Sequence, residues 1–216
     1  MNKFRRCMIA CAVVFATLGP AVPQASAQVE VFQLLRSGGA TLFLRHAAAD
    51  WTGDGNEAGA TGASVLDARR CAHQRHLSDD GRRQAEAVRA GLQGLELEVY
   101  AVGLCRTVET ARVIGPPKIL DSLTPTASGS PSLRVQGLAI EKIVKGGASQ
   151  RGLRVIVGDY EVAHALFGAT LAEGDALVLK PGPDGVEPIA RIRIGEWMAL
   201  RPVAADARET SRSGKF

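Results

Sequence analysis

Short apolar runs alternate along the chain with longer segments in which apolar residues recur every three or four positions. The first pattern is typical of buried strands and the second of amphipathic helices. The predicted strands are 41–45, 99–104, 119–123 and 153–157, with a final hairpin of 176–179 and 189–194 around a turn at 181–185. The predicted helices are 29–36, 78–92, 107–114 and 133–145, with a short one ending at Phe167. This order predicts an α/β fold: a single three-layer domain whose mainly parallel central sheet is covered by helices on both faces.

The organisation of the chain is that of one domain. Of its 216 residues, 46% are apolar and 22% charged, which excludes a disordered chain and a disulfide-dense mini-scaffold. A long loop rich in Gly, Ala and Asp follows the first strand, at 47–76, and loops of this length carry function or are disordered. We assign 28–200 to the domain and 201–216 to a polar tail that is expected to be disordered.

The first 27 residues have the pattern of a secretory signal peptide. A basic start precedes an apolar stretch at 7–18, too short to span a bilayer, and the small-residue sequence Ala25-Ser26-Ala27. Cleavage after Ala27 would place the protein in the periplasm or outside the cell. It would remove three basic residues and no acidic one, so the net charge would fall from +4 to +1. The mature chain therefore gives no reason to expect nucleic-acid binding or stable membrane insertion.

Signal cleavage also removes two of the four cysteines and leaves Cys71 and Cys105. In an oxidising compartment, a disulfide and two separate buried thiols both fit such a pair. A bridge would close a loop of about 35 residues and stabilise the fold by about 3–4 kcal/mol on the chain-entropy model. His73 and His76 lie near Cys71, but a second cluster and a fourth ligand are missing from the sequence, so no metal site is predicted.

Residue pairs that contain a potentially reactive side chain follow three of the predicted strands. These pairs are Arg45-His46, Cys105-Arg106 and Gly158-Asp159. Ligands of open α/β sheets gather at the carboxyl ends of the strands. A neutral imidazole can attack phosphorus while guanidinium groups and a helix N-terminus hold the transferred group. A structural histidine, and an Arg106 paired with Glu109 on a solvated face, remain the alternatives.

Three short motifs follow one another along the chain: LFLRHA at 42–47, RHLSDDGRRQAEAV at 75–88 and LCRTVETA at 104–111. In turn they resemble the RHG signature, the LS-x-x-G-x-x-Q-A helix start and the second-arginine motif of the histidine phosphatase superfamily, also called phosphoglycerate mutase-like. The resemblance runs from about residue 41 to 157, with an ending up to Trp197 that fits the family. Each motif alone is weak, and the three together are specific.

The resemblance implies a phosphoglycerate mutase-like fold in which His46 is the phosphorylated nucleophile. Arg45 and Arg106 would clamp the phosphoryl oxygens, and Arg75 would lie at the rim of the substrate site. Such a mechanism needs no metal or organic cofactor. The expected partner is a phosphorylated small molecule or a phosphoprotein.

The resemblance is closest to small secreted bacterial members, on the signal pattern together with Cys71 and Gln74. Because Cys105 directly precedes Arg106, a bridge to Cys71 would pin the long loop beside the pocket. Trp51, Asp54 and Glu57 in that loop are either pocket-lining or solvated.

The sequence departs from the family pattern most strongly at Asp159, where LRVIVGDY at 153–160 should carry the second catalytic histidine. A histidine donates a hydrogen bond to the phosphoryl group, whereas an ionised carboxylate only accepts. At about 4 Å, an ionised carboxylate repels a unit negative charge by roughly 4 kcal/mol at a surface-like dielectric. Neighbouring arginines favour its charged form. His164 lies in the next helix, too far along to replace the missing group.

Two smaller departures concern Ala47, in place of the usual glycine, and the general acid that larger members carry after the third strand. Asp121 is the nearby carboxylate and comes slightly too early. A phosphoramidate needs less help with its leaving group than an alkyl phosphate does. The pattern therefore favours phosphoramidates, activated substrates or no catalysis.

Two functions follow from these residues. The preferred one is an exported phosphatase that hydrolyses a phosphomonoester or phosphoramidate through a phosphohistidine on His46, with weak activity. The alternative is a catalytically inactive pseudophosphatase that binds an anionic ligand or a protein partner. Asp159 contacts the ligand in either case, and a direct salt bridge from Asp159 to Arg45 or Arg106 favours the alternative.

Overall fold

The computed structural model of this chain describes residues 24–50, 71, 74–125, 130–146 and 152–200. The strands in these ranges are β1 (Thr41–Arg45), β2 (Ala49–Asp50), β3 (His76–Leu77), β4 (Leu97–Ala101), β5 (Pro117–Ile119), β6 (Leu153–Gly158), β7 (Ala176–Gly182) and β8 (Gly185–Ile192). The helices are α1 (Gln24–Ser37), α2 (Asp79–Gly91), α3 (Cys105–Ile114), α4 (Leu133–Gly146) and α5 (Tyr160–Phe167), with 3₁₀ turns at Asp121–Leu123 and Ile194–Leu200.

Six strands form the central sheet, in the order β5-β4-β6-β1-β7-β8. The first four run parallel, and β7 and β8 complete one edge in antiparallel orientation. Helices α1, α2 and α3 pack on one face, and α4 and α5 pack on the other. The predicted three-layer α/β domain with a mainly parallel sheet is confirmed.

The centre of the sheet is apolar on both faces. In β1, Leu42 and Leu44 face the core under α1–α3, whereas Phe43 faces the core under α4 and α5. All six residues of β6 are buried as well. Strands covered on both sides read as continuous apolar runs. This is why the sequence predicts β1 and β6 to within one residue.

The predicted second strand extends too far. β4 ends at Ala101 because the next residues turn away from the sheet. The amide of Leu104 donates to the carbonyl of Val102 (2.8 Å), and the amide of Gly103 donates to Thr124 Oγ1 (2.7 Å). Helix α3 consequently begins two residues earlier than predicted.

The predicted strand at 119–123 is wrong in its position. Strand β5 is Pro117–Ile119, and the chain then forms a 3₁₀ turn that buries Leu123. The terminal hairpin is also longer than predicted, because β7 and β8 stay paired up to Gly182 and Gly185. Gly185 has a φ of +137°, which an L side chain rarely adopts.

Helix α1 starts at Gln24, so the predicted cleavage point after Ala27 lies within the described part of the chain. The ranges 1–23, 51–70 and 201–216 lie outside it, and the signal peptide and the polar tail stay predictions. None of the helices described here combines the length and the apolar composition needed to cross a bilayer.

The first turn of α2 packs closely on the segment after β1. Ser78 caps the helix by accepting from the Gly81 amide (3.0 Å), and its own amide donates to the Ala48 carbonyl (3.1 Å). A Cβ on Gly81 would overlap that carbonyl oxygen. We expect Gly81→Ala to lower the free energy of unfolding by about 2–3 kcal/mol in urea denaturation. Gly146→Ala, where a Cβ meets open space, is the control and should stay within about 0.5 kcal/mol. Equal stability of the two variants would contradict this packing.

Candidate active site

The two central parallel strands end side by side and bring the predicted site residues together. Arg45 pairs with Gly158 in the register of β1 and β6, so His46 and Asp159 each follow a paired residue. The His46 amide donates to the Gly158 carbonyl (3.0 Å). Arg106 reaches the same point from the first turn of α3. The cluster of Arg45, His46, Arg106 and Asp159 is called the arginine site below.

His46 is oriented as a neutral base. Only 1% of its surface is exposed, and its Nδ1 lies 2.7 Å from the carbonyl of Ala47. A carbonyl only accepts, so Nδ1 carries the proton and Nε2 offers a lone pair. Burial lowers the pKa of His46 to about 4, the positive charges of Arg106 and Arg45 act in the same direction, and Asp159 opposes them. At neutral pH the imidazole is therefore uncharged.

Asp159 makes a direct salt bridge to Arg106. Its Oδ2 accepts from Nε of Arg106 at 2.9 Å and from Nη2 of the same guanidinium. Its Oδ1 accepts from the Tyr160 amide at 2.7 Å and caps α5. Burial alone would raise the pKa of Asp159, but the Arg106 charge and the hydrogen bonds prevail and lower it. The side chain is thus an ionised carboxylate, with Oδ2 only 3.8 Å from Nε2 of His46.

Glu173 is a site residue that the sequence did not single out. Its Oε1 lies 3.1 Å from Nη2 of Arg75, 3.7 Å from Nη2 of Arg45 and 4.0 Å from Nδ1 of His46. It precedes β7, and because β7 is antiparallel to β1, its amino end lies beside the carboxyl end of β1. The predicted antiparallel hairpin was the available signal, since it places the preceding loop at this edge.

Carboxylates therefore balance most of the positive charge at this edge. Three guanidinium groups, Arg45, Arg75 and Arg106, face the carboxylates of Asp159 and Glu173 while His46 is neutral. One uncompensated positive charge remains among these groups. Glu161 lies beside Asp159, and burial together with a hydrogen bond to that carboxylate raises the pKa of the Glu161 carboxyl.

Arg75, whose role at the rim of the substrate site stays a prediction, makes its contacts within the protein. Its Nη2 donates to the carbonyl of Ala49 as well as to Glu173. Arg45 also donates to a backbone group, the Leu171 carbonyl, at 2.6 Å, and its guanidinium lies 5.3 Å from the ring centroid of Tyr160. Both guanidinium groups are held in place before any ligand binds.

Glu109 does not pair with Arg106, which was one alternative for that arginine. It accepts from Nδ1 of His76 (2.6 Å) and from the Leu77 amide (2.8 Å). Nε2 of His76 lies 2.8 Å from the carbonyl of Cys71, so both ring nitrogens face acceptors. The hydrogen bond to Glu109 accordingly raises the pKa of His76.

The other candidates lie away from the arginine site or outside the described residues. His164 and Asp121 are exposed, on α5 and on the 3₁₀ turn after β5. Within the described ranges no cluster of His, Cys, Asp and Glu is suited to hold a metal ion. His73 and the loop residues Trp51, Asp54 and Glu57 fall outside those ranges.

Cys71 and Cys105 form a disulfide, with their Cα atoms 5.6 Å apart. Gln74 reinforces the connection through two hydrogen bonds. Its side-chain Oε1 accepts from the Cys105 backbone amide (2.9 Å), and its own backbone amide donates to the Cys71 carbonyl (3.0 Å). The bridge thus attaches the segment that carries Arg75 to the residue preceding Arg106.

A cavity of about 550 Å³ opens beside the arginine site. It extends between α4, α5 and the turn after β4. Its polar lining includes Arg75, Arg106, Asp159, Glu161 and Gln136, and its other walls are mostly apolar.

Comparison with protein family profiles and with curated protein sequences finds no match. Solved structures do match. One is a candidate α-ribazole-5′-phosphate phosphatase from Escherichia coli, with a TM-score of 0.51, 14% identity, and coverage of 72% of this chain and 97% of that one. Another is the protein histidine phosphatase SixA complexed with tungstate, with a TM-score of 0.51, 12% identity, and coverage of 73% and 98%. The chain therefore has the fold of the phosphoglycerate mutase-like histidine phosphatases.

The buried neutral His46 predicts a pH dependence of stability. Its pKa is lower in the folded state, about 4, than the ordinary 6.5, so between these values the unfolded chain binds more protons. The free energy of unfolding that this group contributes is fully present above pH 6.5 and is lost as the pH falls towards 4. The loss between pH 7 and pH 4.5 is about 2 kcal/mol. We expect His46→Gln to remove this component. The measurement is urea unfolding of both proteins at the two pH values, in which the contribution of His76 cancels. Parallel changes in the two proteins would contradict a buried neutral histidine.

The disulfide should support both the fold and the site. It closes a loop between residues 34 positions apart, so the Cys71→Ala, Cys105→Ala double variant should lose about 3–4 kcal/mol of unfolding free energy. Dithiothreitol should shift the wild-type midpoint in urea in the same direction and leave the double variant unchanged. A reductant effect of equal size on both proteins would show that the bridge is not its cause.

Proposed function

We propose that this chain is a non-catalytic member of the histidine-phosphatase fold, whose arginine site binds a single negative charge. The observation that carries the proposal is the salt bridge of Asp159 to Arg106, 3.8 Å from Nε2 of His46. This function is the pseudophosphatase alternative of the sequence analysis, and the phosphatase that the sequence alone favours is kept below as the second candidate.

The geometry opposes phosphoryl transfer at His46. In-line attack requires phosphorus about 3–3.5 Å from the nucleophile. Asp159 Oδ2 lies 3.8 Å from Nε2 of His46. It already accepts hydrogen bonds from two N–H groups of Arg106 that a phosphoryl oxygen would need. A unit negative charge brought to about 4 Å from it costs roughly 4 kcal/mol at an effective dielectric of 20. A dianionic phosphomonoester therefore meets both a competitor and a repulsive charge.

The charge balance of the site defines the ligand class. The three guanidinium groups and the carboxylates of Asp159 and Glu173 leave at most one uncompensated positive charge, because Glu161 beside Asp159 can only lower the count. The site therefore matches at most a monoanion, such as a carboxylate or a singly charged phosphoryl group. Because Arg45 and Arg75 are held by Glu173, the site is already ordered and loses little conformational entropy on binding. Together with the N-terminal signal pattern, this supports binding of a small organic anion in an exported compartment.

A second candidate function rests on His46. Its imidazole is neutral, buried and oriented by Ala47 with Nε2 facing the site, which is the state a nucleophile requires. An exported phosphatase acting on a phosphoramidate or phosphomonoester through a phosphohistidine is the function this observation favours. Its activity would depend on displacing Asp159 from Arg106.

Phosphate release from an aryl phosphate and a phosphoramidate distinguishes the two functions. We expect the mature wild type to release phosphate no faster than its His46→Ala variant. Asp159→His should release it at least a hundredfold faster than the wild type, because a donor replaces the carboxylate. The double variant with His46→Ala should lose that gain. Asp159→Asn, which keeps the shape and removes the charge, should bind inorganic phosphate at least tenfold more tightly than the wild type. Wild-type turnover that His46→Ala abolishes would overturn the proposal and establish the phosphatase.

A further inference from the structure

The segment that carries Arg75 is attached to its surroundings through the imidazole of His76. Nδ1 of His76 lies 2.6 Å from Glu109 Oε1, and Nε2 lies 2.8 Å from the carbonyl oxygen of Cys71. A carboxylate and a carbonyl only accept, so both contacts are hydrogen bonds only when both ring nitrogens carry protons. A neutral imidazole has one N–H and can hold only one of the two acceptors. The arrangement of His76 between Glu109 and Cys71 is called the His76 clamp below.

Both acceptors of the clamp are fixed by other contacts. Glu109 lies on α3, and its Oε2 accepts from the Leu77 amide at 2.8 Å. Cys71 is held by its disulfide to Cys105, the first residue of the same helix. Because neither oxygen is free to turn away, a neutral His76 faces the lone pair of one of them. Loss of the proton therefore breaks one of the two attachments.

Charged groups on the elements around His76 favour its protonated form overall. The hydrogen bond to Glu109 on α3 has the largest effect and raises the pKa of His76, and the Cys71 carbonyl acts in the same direction. Partial burial and the charge of Arg82 on α2 oppose this shift without cancelling it. On β2, Asp50 pairs with His76 in register, so its carboxylate lies on the same side of the two-stranded sheet. The clamp is thus closed below the ordinary pKa of 6.5 and opens as the pH rises through the raised value.

The residue before the clamped histidine is Arg75, whose guanidinium reaches the arginine site. Its Nη2 donates to Glu173 Oε1 at 3.1 Å, and that oxygen lies 3.7 Å from Nη2 of Arg45. With Arg75 in place, at most one positive charge is left uncompensated by Asp159 and Glu173, and Glu161 can only lower that count. Without Arg75, Glu173 is left to Arg45 and no positive charge is uncompensated. The position of Arg75 therefore decides whether the site attracts an anion.

We infer that the His76 clamp is a pH-sensitive switch: protonated His76 holds Arg75 at the arginine site, and neutral His76 releases the segment between Cys71 and Leu77. Since 29% of the His76 side chain is exposed, protons reach it directly from solvent. The arginine site consequently binds a monoanion more tightly in slightly acidic than in alkaline solution. The opening of the clamp stands on its own contacts, whereas its effect on anion binding rests on the proposed function.

Acetate is a suitable probe, because it keeps one negative charge between pH 6 and pH 9. We expect the mature wild type to bind acetate at least fivefold more tightly at pH 6 than at pH 9 in a chemical-shift titration. His76→Lys, which stays charged, should keep the wild-type affinity of pH 6 at both values, within about twofold. His76→Gln, which is never charged, should show the weaker affinity at both. His164→Gln removes an exposed histidine of α5 and should leave the pH dependence unchanged.

Arg75→Gln distinguishes the switch from a simple attraction of acetate by the charge of His76. If the effect passes through Arg75, this variant loses the pH dependence of acetate affinity, although His76 still titrates. Other titrating groups contribute equally to the wild type and to every variant. A pH dependence that persists undiminished in Arg75→Gln would overturn the switch, because the imidazolium charge alone would then account for it.

Amide hydrogen exchange follows the clamp without any ligand. The Leu77 amide donates to Glu109, so its protection factor should fall at least fivefold from pH 6 to pH 9 in the wild type and stay within twofold in His76→Lys. Constant protection and constant acetate affinity would overturn the switch and leave the anion site standing. A fall in protection with constant acetate affinity would refute the link through Arg75. A protein that binds acetate at neither pH overturns the proposed function, and the protection of Leu77 then decides the clamp by itself.

Discussion

The parallel pairing of β1 with β6 is the constraint on which the site depends. The register that matches Arg45 with Gly158 places the next residue of each strand, His46 and Asp159, at the same level of the sheet edge. A Cβ on Gly158 would lie 2.5 Å from the ring of Phe43, so a glycine at this position lets the two strands and the ring pack together. The pairing of the strands and the bond from the His46 amide to the Gly158 carbonyl hold the backbone of both residues in this place. The identity of the residue after β6 therefore decides what lies opposite the imidazole.

Asp159 acts on the site through its charge. The imidazole beside it is neutral and oriented by Ala47. Asp159 and Glu173 already neutralise two of the three guanidinium groups. On the proposed function, the site is thereby matched to a monoanion and not to a dianion. The neighbouring cavity, with its mostly apolar walls, borders Arg106 and Asp159.

The sequence predicts the layers of the fold and four of the residues at the site, because both rest on local patterns. Apolar runs identify β1 and β6, and a ligand site at the ends of parallel strands brings Arg45, His46, Arg106 and Asp159 together. Glu173 carries no such pattern. Its loop reaches the site only because β7 is antiparallel to β1, which is a property of the whole sheet.

The same limit applies to the disulfide and to the segment after β4. Spacing cannot decide whether Cys71 meets Cys105, because their distance depends on the path of the intervening chain. The end of β4 depends on the hydrogen bond from the Gly103 amide to Thr124, a residue that directly follows the later 3₁₀ turn.

Asp159 also has a structural role that a catalytic histidine would fill less well. It stands at the N-cap of α5, where aspartate is among the preferred residues and contributes about 0.5–2 kcal/mol relative to alanine. Its negative charge is favourable at a helix N-terminus, and its second oxygen satisfies Arg106 in a largely buried place. A histidine there would leave Arg106 without an anionic partner until a ligand arrived. The aspartate therefore stabilises the ligand-free state of the site, both as the cap of α5 and as the partner of Arg106.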